Sequence, residues 1–164
     1  MPIQSNAAPD EKNSPFYTAN KELCEKWEQF VLEKDGKFNA VYNAWSFDIK
    51  AKFKTRKTWL ISVKRATYSN GSIYFSSKKQ NLLEILEIQT RFDHSNYRNF
   101  HITRSIFKRR TAGHQLYRVC QKLFSGKKYD YIRYKDGLLT LRYAHRNDDF
   151  ELVNRVLQEL DTLV

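Results

Sequence analysis

The chain is poor in the residues that mark disulfide-stabilised, low-complexity and membrane-spanning proteins. Among 164 residues there are two cysteines, three prolines and five glycines. The cysteines, Cys24 and Cys120, form no CxxC pair, which argues against a disulfide framework and against a cysteine-ligated metal. So few prolines and glycines exclude a low-complexity chain. No apolar run approaches the ~20 residues that a membrane-spanning helix needs.

Signatures of catalysis and of metal binding are also missing. The sequence contains no GxSxG elbow, no P-loop and no GxGxxG fingerprint. Its histidines are His94, His101, His114 and His145. Because they form no HxH or HExxH pair, we expect no metal site, and we expect no catalytic residue and no cofactor. A small enzyme stays open as the third interpretation, since distant residues such as Asp93 and His94 can meet other groups in the fold.

Acidic residues are scarce in the middle of the chain. Residues 36–146 carry 24 Lys and Arg but only 6 Asp and Glu, a net charge of +18. Residues 1–35 carry a net −3 and residues 147–164 a net −4, which leaves +11 for the whole chain. A block of one charge sign repels itself unless an anionic partner meets it or the acidic ends screen it. The charge pattern therefore favours an anionic partner.

What the sequence does contain is a helical spacing of apolar residues in three segments. These segments lie near 18–34, over 112–125 and near 149–163. Their apolar stripes consist of Leu23, Trp27, Phe30 and Val31; of Leu116, Val119, Cys120, Leu123 and Phe124; and of Val153, Val156, Leu157, Leu160 and Val164. Both cysteines are predicted to lie on the apolar side of a helix, where a thiol behaves as a small hydrophobe.

Strict alternation of apolar and polar residues predicts two strands after the first helix. The inward residues would be Trp45, Phe47, Ile49, Ala51 and Phe53 in one strand and Trp59, Ile61 and Val63 in the next. The outward residues include Lys50, Lys52, Lys54 and Asp48. Asp48 lies among lysines, which suits a structural ion pair better than a general acid.

The connection after these strands is predicted from a turn signal. Asn70-Gly71 favours a type I′ hairpin, which would place Tyr68 opposite Ile73 and Ala66 opposite Phe75. The segment 82–90 is ambiguous between strand and helix. If it were an uncovered edge strand, dimerisation by sheet extension would become plausible.

A second hairpin is predicted at Asp136-Gly137, after a short strand at Phe100 and Ile102. In its register, Ile132 and Tyr134 face Leu141 and Leu139 on the buried side. On the other side, Tyr131 and Arg133 face Arg142 and Thr140. One face of the hairpin is therefore apolar, and the other is basic with an aromatic ring.

These elements predict an α+β fold. We expect a single domain in which an N-terminal helix, a middle helix and a C-terminal helix pack on the apolar face of an antiparallel β-sheet. Residues 1–15 are assigned to a disordered leader and residues 16–164 to the domain. The N-terminus lacks the basic-then-apolar order of a signal peptide, so we expect a cytoplasmic protein. Strand order and oligomeric state stay open.

The outward, basic face of this sheet is the main candidate site. Its candidate residues for binding an anion or nucleic acid are Lys50, Lys52, Lys54, Lys64, Tyr131, Arg133 and Arg142. Cations release counterions from phosphates, and aromatic rings stack on unpaired bases. The alternative is a solvated face whose lysines serve solubility and protect a sheet edge.

A second basic cluster follows the predicted strand at Phe100. It consists of Arg104, Lys108, Arg109 and Arg110, around Ile106 and Phe107. This cluster is a further candidate for anion binding; it can also touch an anionic membrane weakly, or be a solvated turn. We expect no stable membrane insertion.

The order of the elements resembles that of small uncharacterised α+β domains of bacterial proteins. The resemblance lies in a helix that leads into the alternating strand Tyr42-Asn43-Ala44-Trp45-Ser46-Phe47-Asp48-Ile49, and in a closing strand–turn–strand–helix from Tyr129 to Leu163. It implies a bacterial, non-enzymatic module and transfers no functional residue.

We therefore interpret the protein as a non-catalytic binding module with an anionic partner, nucleic acid being the first candidate. The alternative is a protein–protein interaction module, of the adaptor or toxin-neutralising type, with an acidic partner.

Overall fold

The strands and helices follow one another in an order close to the predicted one. The computed structural model describes residues 2–68, 81–92, 97–103, 112–124, 129–144 and 146–163. The strands are β1 (Ile3–Ser5), β2 (Lys37–Tyr42), β3 (Phe47–Lys54), β4 (Thr58–Tyr68), β5 (Asn81–Arg91), β6 (Phe100–Thr103), β7 (Tyr129–Lys135) and β8 (Leu138–Ala144). The helices are α1 (Pro15–Leu32), α2 (Gln115–Phe124) and α3 (Phe150–Asp161), with a 3₁₀ helix at Pro9–Asn13.

The eight strands of the described residues belong to one sheet in the order β1-β2-β3-β4-β5-β8-β7-β6. The first pair, β1 with β2, is parallel, and the other neighbours are antiparallel. Where their side chains are described, the strands β3 to β8 bury alternate residues, and β8 buries Thr140 in addition. The buried apolar residues of α1, α2 and α3 join the same cluster. The α+β class with helices on the apolar face of the sheet is confirmed.

The core is rich in aromatic side chains. Trp27 of α1 is fully buried, and its ring lies 4.7 Å from the Phe150 ring and 5.5 Å from the Phe30 ring, measured between centroids. The Trp27 indole N–H donates to the Asn147 carbonyl at 2.6 Å. Trp27 therefore joins α1 to the segment that begins α3, because its ring and its polar group are both held there.

Residues 2–15, assigned above to a disordered leader, are part of the fold, so that assignment is wrong. Ile3 pairs with Ala40 of β2, and the Tyr17 hydroxyl donates to Ser5 Oγ at 3.1 Å. The Ser14 side chain accepts a hydrogen bond from the Phe16 amide and caps α1. A three-residue strand is too short to leave a periodic signal, which is why the polar composition of this segment misled the prediction.

The alternating pattern was also wrong about Trp45, which it assigned to the buried face of a strand. It lies in the turn between β2 and β3, and 60% of its surface is exposed. The Asn43 side-chain oxygen accepts hydrogen bonds from the backbone amides of Trp45 and Ser46, both at 2.8 Å. This Asx turn competes with the strand and delays its start to Phe47.

The partner of β4 differs from the one predicted by the turn signal. Tyr68 pairs with Asn81 and Ala66 with Leu83, so the expected pairing with Ile73 and Phe75 is wrong. The Asn70-Gly71 turn itself lies outside the described residues. The segment 82–90 belongs to strand β5, which lies between β4 and β8. Because β5 is central, it offers no edge for dimerisation.

The late hairpin has the register expected from its sequence. Ile132 pairs with Leu141 and Tyr134 with Leu139, all of them buried. The turn places Asp136 at φ 50° and Gly137 at φ 86°. Positive φ at both central residues is what a type I′ turn requires, and glycine adopts it without a steric penalty.

Candidate nucleic-acid interface on the outer face of the sheet

The side of the sheet opposite the α-helices is called the outer face here. It is formed by every second residue of each strand, and in the described part of the chain the α-helices pack only on the other side. The charged and aromatic members of the outer face are Lys37, Asp48, Lys50, Lys52, Lys54, Lys64, Glu87, Arg91, His101, Tyr131, Arg133, Lys135 and Arg142. The face is therefore strongly basic.

One side of the outer face carries a lysine cluster, which consists of Lys37, Lys50, Lys52 and Lys54. All four side chains are exposed, and Lys37 of β2 lies opposite Lys52 of β3. None of the ion pairs among the described residues involves them. The prediction from sequence omitted Lys37, because its position depends on the pairing of β2 with β3, which no local pattern shows.

Lys64 differs from these lysines because it has an acidic neighbour. Its ammonium nitrogen lies 3.8 Å from an Asp48 carboxylate oxygen, and the two residues are paired across β3 and β4. Both side chains are about half exposed, so the ion pair contributes little stability. Asp48 is thus an ion-pair partner, as expected, and it lowers the charge available at Lys64.

The other side of the outer face carries an aromatic cluster centred on Tyr131. The guanidinium carbons of Arg133 and Arg142 lie 5.6 Å and 5.8 Å from the centre of the Tyr131 ring. The His101 ring meets the same ring edge-on, with 5.6 Å between centroids. Both arginines are within the ~6 Å range of cation–π attraction. Three strands therefore bring two fixed cations and an imidazole around one aromatic ring.

The strands β4 and β5 form a stripe that separates the two clusters. The strands β3 and β7 are four steps apart in the sheet, roughly 19 Å at about 4.8 Å per strand. Between them lie Leu60, Ser62 and Gln89, and Leu60 is 45% exposed. Glu87 is the one acid in this stripe within the described residues, and it lies opposite Arg142 in the register of β5 with β8. Two cations, Lys64 of β4 and Arg91 of β5, also lie in the stripe. The outer face is therefore a basic surface whose cations are more numerous at its two sides than in the middle.

The acidic ends of the chain lie on the other side of the molecule. Acidic residues of α1 and α3, such as Glu22, Glu28 and Glu159, belong to helices that pack on the inner face. At physiological salt the screening length is about 8 Å, comparable to the spacing between packed layers. These carboxylates consequently do little to neutralise the outer face.

The predicted candidates fall into three groups. Lys50, Lys52 and Lys54 lie together, and Tyr131, Arg133 and Arg142 form the second cluster. Lys64 lies apart from both, beside Asp48. The remaining candidates, Arg104, Lys108, Arg109 and Arg110, lie outside the described residues. His101 points away from the Phe100 side, as expected from alternation. Its contact with Tyr131 depends on the pairing of β6 with β7, which the sequence does not show.

Other groups considered for chemistry have structural roles or lie outside the described residues. The His114 ring accepts from the Tyr117 amide at 3.1 Å through Nδ1, and its Nε2 lies 2.9 Å from the Arg98 carbonyl oxygen. His114 therefore caps α2. Asp93, His94 and His145 are not among the described residues. Within the described ranges, no three potential metal ligands come together.

The two cysteines are buried thiols with raised pKa values. Burial raises the pKa of Cys24 to about 12, and burial also raises the pKa of Cys120. Both belong to the apolar cluster under the helices. Their thiols are protonated at neutral pH and are shielded from solvent, so they act as small hydrophobes.

We expect neither cysteine to react with a thiol reagent in the folded protein. Burial raises the pKa of Cys24 to about 12, far above pH 8, so almost none of this thiol is ionised at that pH. Ellman's reagent at pH 8 should therefore titrate no thiol within minutes in the native state and both thiols in denaturant. Rapid release of one equivalent from the native protein would contradict the buried positions.

Comparisons with known proteins do not identify a family. No protein-family model, no curated protein and no solved structure matches the chain. The expected kinship with small bacterial domains therefore stays a prediction. In the described ranges, none of the helices combines the length and the apolar character needed to cross a membrane.

Proposed function

We propose that the protein binds single-stranded nucleic acid through the outer face of its sheet, without catalysing a reaction. The observation that carries this proposal is the aromatic cluster, in which Tyr131 is flanked by the guanidinium groups of Arg133 and Arg142. A ring in this setting offers a base a stacking surface, and the adjacent cations offer its phosphates charge-assisted hydrogen bonds.

The lysine cluster adds the second part of the binding surface. Its exposed lysines lie on β2 and β3, and β3 lies roughly 19 Å from β7 at about 4.8 Å per strand, so a strand of several nucleotides can contact both clusters. Lysine binds phosphate as a point charge and does not read sequence, which favours general affinity over base specificity. Any base preference would arise at Tyr131 and the arginines.

Single strands are favoured over duplexes because the aromatic group lies on the face of a sheet. Stacking on Tyr131 requires a base that is not already stacked within a helix. A duplex would use only the cations, since its bases are covered. We therefore expect single-stranded RNA and DNA to bind more tightly than duplex DNA of equal length.

The experiment that tests this proposal is fluorescence anisotropy with labelled single-stranded RNA, single-stranded DNA and duplex DNA. At about 0.15 M salt the single strands should saturate at lower protein concentrations than the duplex. No binding to any of them at this salt would refute the proposal, and equal binding to all three would exclude stacking on Tyr131.

Tyr131 itself gives the most specific prediction. Replacing it with alanine should weaken binding by roughly 5- to 150-fold, which corresponds to the ~1–3 kcal/mol of one stacked base. Tyr131→Phe keeps the ring and should bind within about two-fold of the wild type, since stacking uses the π face. If Y131A and Y131F bind alike, the ring does not stack on a base.

An acidic protein is the second candidate partner. The observation that favours it is Leu60, which is 45% exposed and lies between the lysine cluster and the aromatic cluster. Protein interfaces combine an apolar centre with a polar rim, and a basic rim would suit an acidic partner. A partner of this kind should lose affinity on Leu60→Ser, a change that should leave nucleic-acid binding within two- to three-fold because Leu60 carries no charge.

A further inference from the structure

The edge of the sheet beside α1 contains a groove that the proposed function does not use. Its volume is about 920 Å³, and it lies between β1, the end of β2 and the side of α1. Its apolar lining is contributed by Pro2, Ile3, Leu32 and Tyr42. Leu32 is 57% exposed, although it is a large apolar residue on a helix that packs against the sheet. The sheet therefore extends past the helix layer and leaves apolar surface uncovered.

The backbone of β1 is suited to pairing with one more strand. On its inner edge, the Pro2 carbonyl accepts from the Ala40 amide at 2.8 Å, and the Asn6 amide donates to the Tyr42 carbonyl at 3.0 Å. Because a parallel ladder alternates, the N–H and C=O groups of Ile3 and Ser5 point away from β2. Among the described residues no strand pairs with that outer edge. Such an edge is a template for strand addition.

The wall of the groove opposite β1 is acidic. It includes Glu25, Glu28 and Glu33, with Lys21 at 4.0 Å from Glu25. The side chains of Ile3 and Ser5 also line the groove, so the inward side chains of an added strand would point at this wall. Cationic side chains at those positions would meet carboxylates, and an apolar one would cover Leu32.

We propose that this groove binds an extended, basic segment of another protein, which adds to the sheet next to β1. The backbone of the segment pairs with Ile3 and Ser5, an inward apolar side chain packs on Leu32, and flanking inward Lys or Arg side chains reach the glutamates. The site is separate from the outer face, so it allows the protein to hold a basic partner and an anionic one at the same time.

Charge complementarity also decides against a second copy of this chain as the occupant. Pairing two β1 edges would bring the glutamates of both α1 helices to the same interface, where like charges repel.

The probe for this site is an acetylated and amidated peptide of sequence Thr-Lys-Thr-Val-Thr-Lys-Thr, whose Lys and Val side chains share one face. We would titrate it at about 0.15 M salt, at which long-range repulsion from the basic face is screened. Binding should shift the amide NMR signals of Ile3, Ser5 and Leu32. The peptide with Glu in place of Lys should not bind detectably, because it meets the acidic wall.

Two triple variants that remove the same charge distinguish binding by the acidic wall from general electrostatic attraction to the protein. E25Q/E28Q/E33Q should weaken peptide binding by about ten-fold, since each exposed ion pair is worth a factor of roughly 1.4 to 5. The control E22Q/E151Q/E159Q removes three exposed carboxylates outside the groove and should bind within about two-fold of the wild type. Neither set of changes lies on the outer face, so nucleic-acid binding should stay unchanged.

Strand pairing is tested on the unaltered protein with peptides methylated on alternate backbone nitrogens. One methylation pattern removes the donors that face β1 and should abolish binding, and the other should leave it nearly intact. The proposal is overturned if the wild type does not bind the peptide at millimolar concentration, if both methylated peptides bind, or if the acidic peptide binds equally. It is also overturned if the protein is a dimer in sedimentation and L32K makes it a monomer, because a second copy would then occupy the groove.

Discussion

Replacing Trp27 with alanine should lower the free energy of unfolding by about 4 kcal/mol, the cost of emptying a large aromatic site in a core. Trp27 has no exposed surface and packs its ring against Phe30 and Phe150. The change also removes the donor to the Asn147 carbonyl, which adds the cost of losing a part-buried hydrogen bond. Urea unfolding followed by tryptophan fluorescence and by circular dichroism measures the loss.

Trp45 provides the matched control for Trp27. It is the same residue type, but 60% of its surface is exposed and it lies in a turn. Trp45→Ala should change the free energy of unfolding by no more than about 0.5 kcal/mol, as is usual for surface substitutions. If the two variants lose similar stability, α1 does not pack on the sheet as described.

Removing the positive charges of β3 should have the largest effect on binding. The variant K50A/K52A/K54A should bind single-stranded RNA or DNA roughly 50-fold more weakly at about 0.15 M salt. Each phosphate contact on a single strand contributes a slope of about −0.7 in log K against log salt. One contact therefore raises the affinity at 0.15 M salt about four-fold over its value at 1 M. The factors of three contacts multiply, which gives the roughly 50-fold loss expected when all three are removed. Fluorescence anisotropy measures the change.

The control for this variant removes the same charge from the helical side. Lys26 of α1, Lys122 of α2 and Arg155 of α3 are all exposed. K26A/K122A/R155A should weaken binding by no more than about three-fold, because the lost charges lie at the far side of the molecule and are screened. Equal losses in both variants would show that net charge, and not the outer face, determines affinity.

The sequence predicted the outer face well wherever strands alternate strictly. Lys50, Lys52 and Lys54 point outward because Ile49, Ala51 and Phe53 are buried, and a period of two admits no other arrangement. The late hairpin was predictable to the residue because Asp136-Gly137 determines both the turn type and the register.

Local patterns could not predict how the strands are ordered. Sequence placed Tyr131 and the lysines Lys50, Lys52 and Lys54 on one face of one sheet but not at a known distance, because the pairing of β8 with β5 joins segments far apart in the chain and no turn signal describes it. The contact of His101 with Tyr131 depends on the pairing of β6 with β7 in the same way. The groove beside β1 was missed because the strand has only three residues.

The slope of log K against log salt for single-stranded RNA tests the central claim most directly. If the lysine cluster, Arg133 and Arg142 each contact one phosphate, the slope should be about −4 for the wild type and about −2 for K50A/K52A/K54A, with K26A/K122A/R155A close to the wild type. A slope near zero, or an equal decrease in both variants, would contradict binding through the outer face.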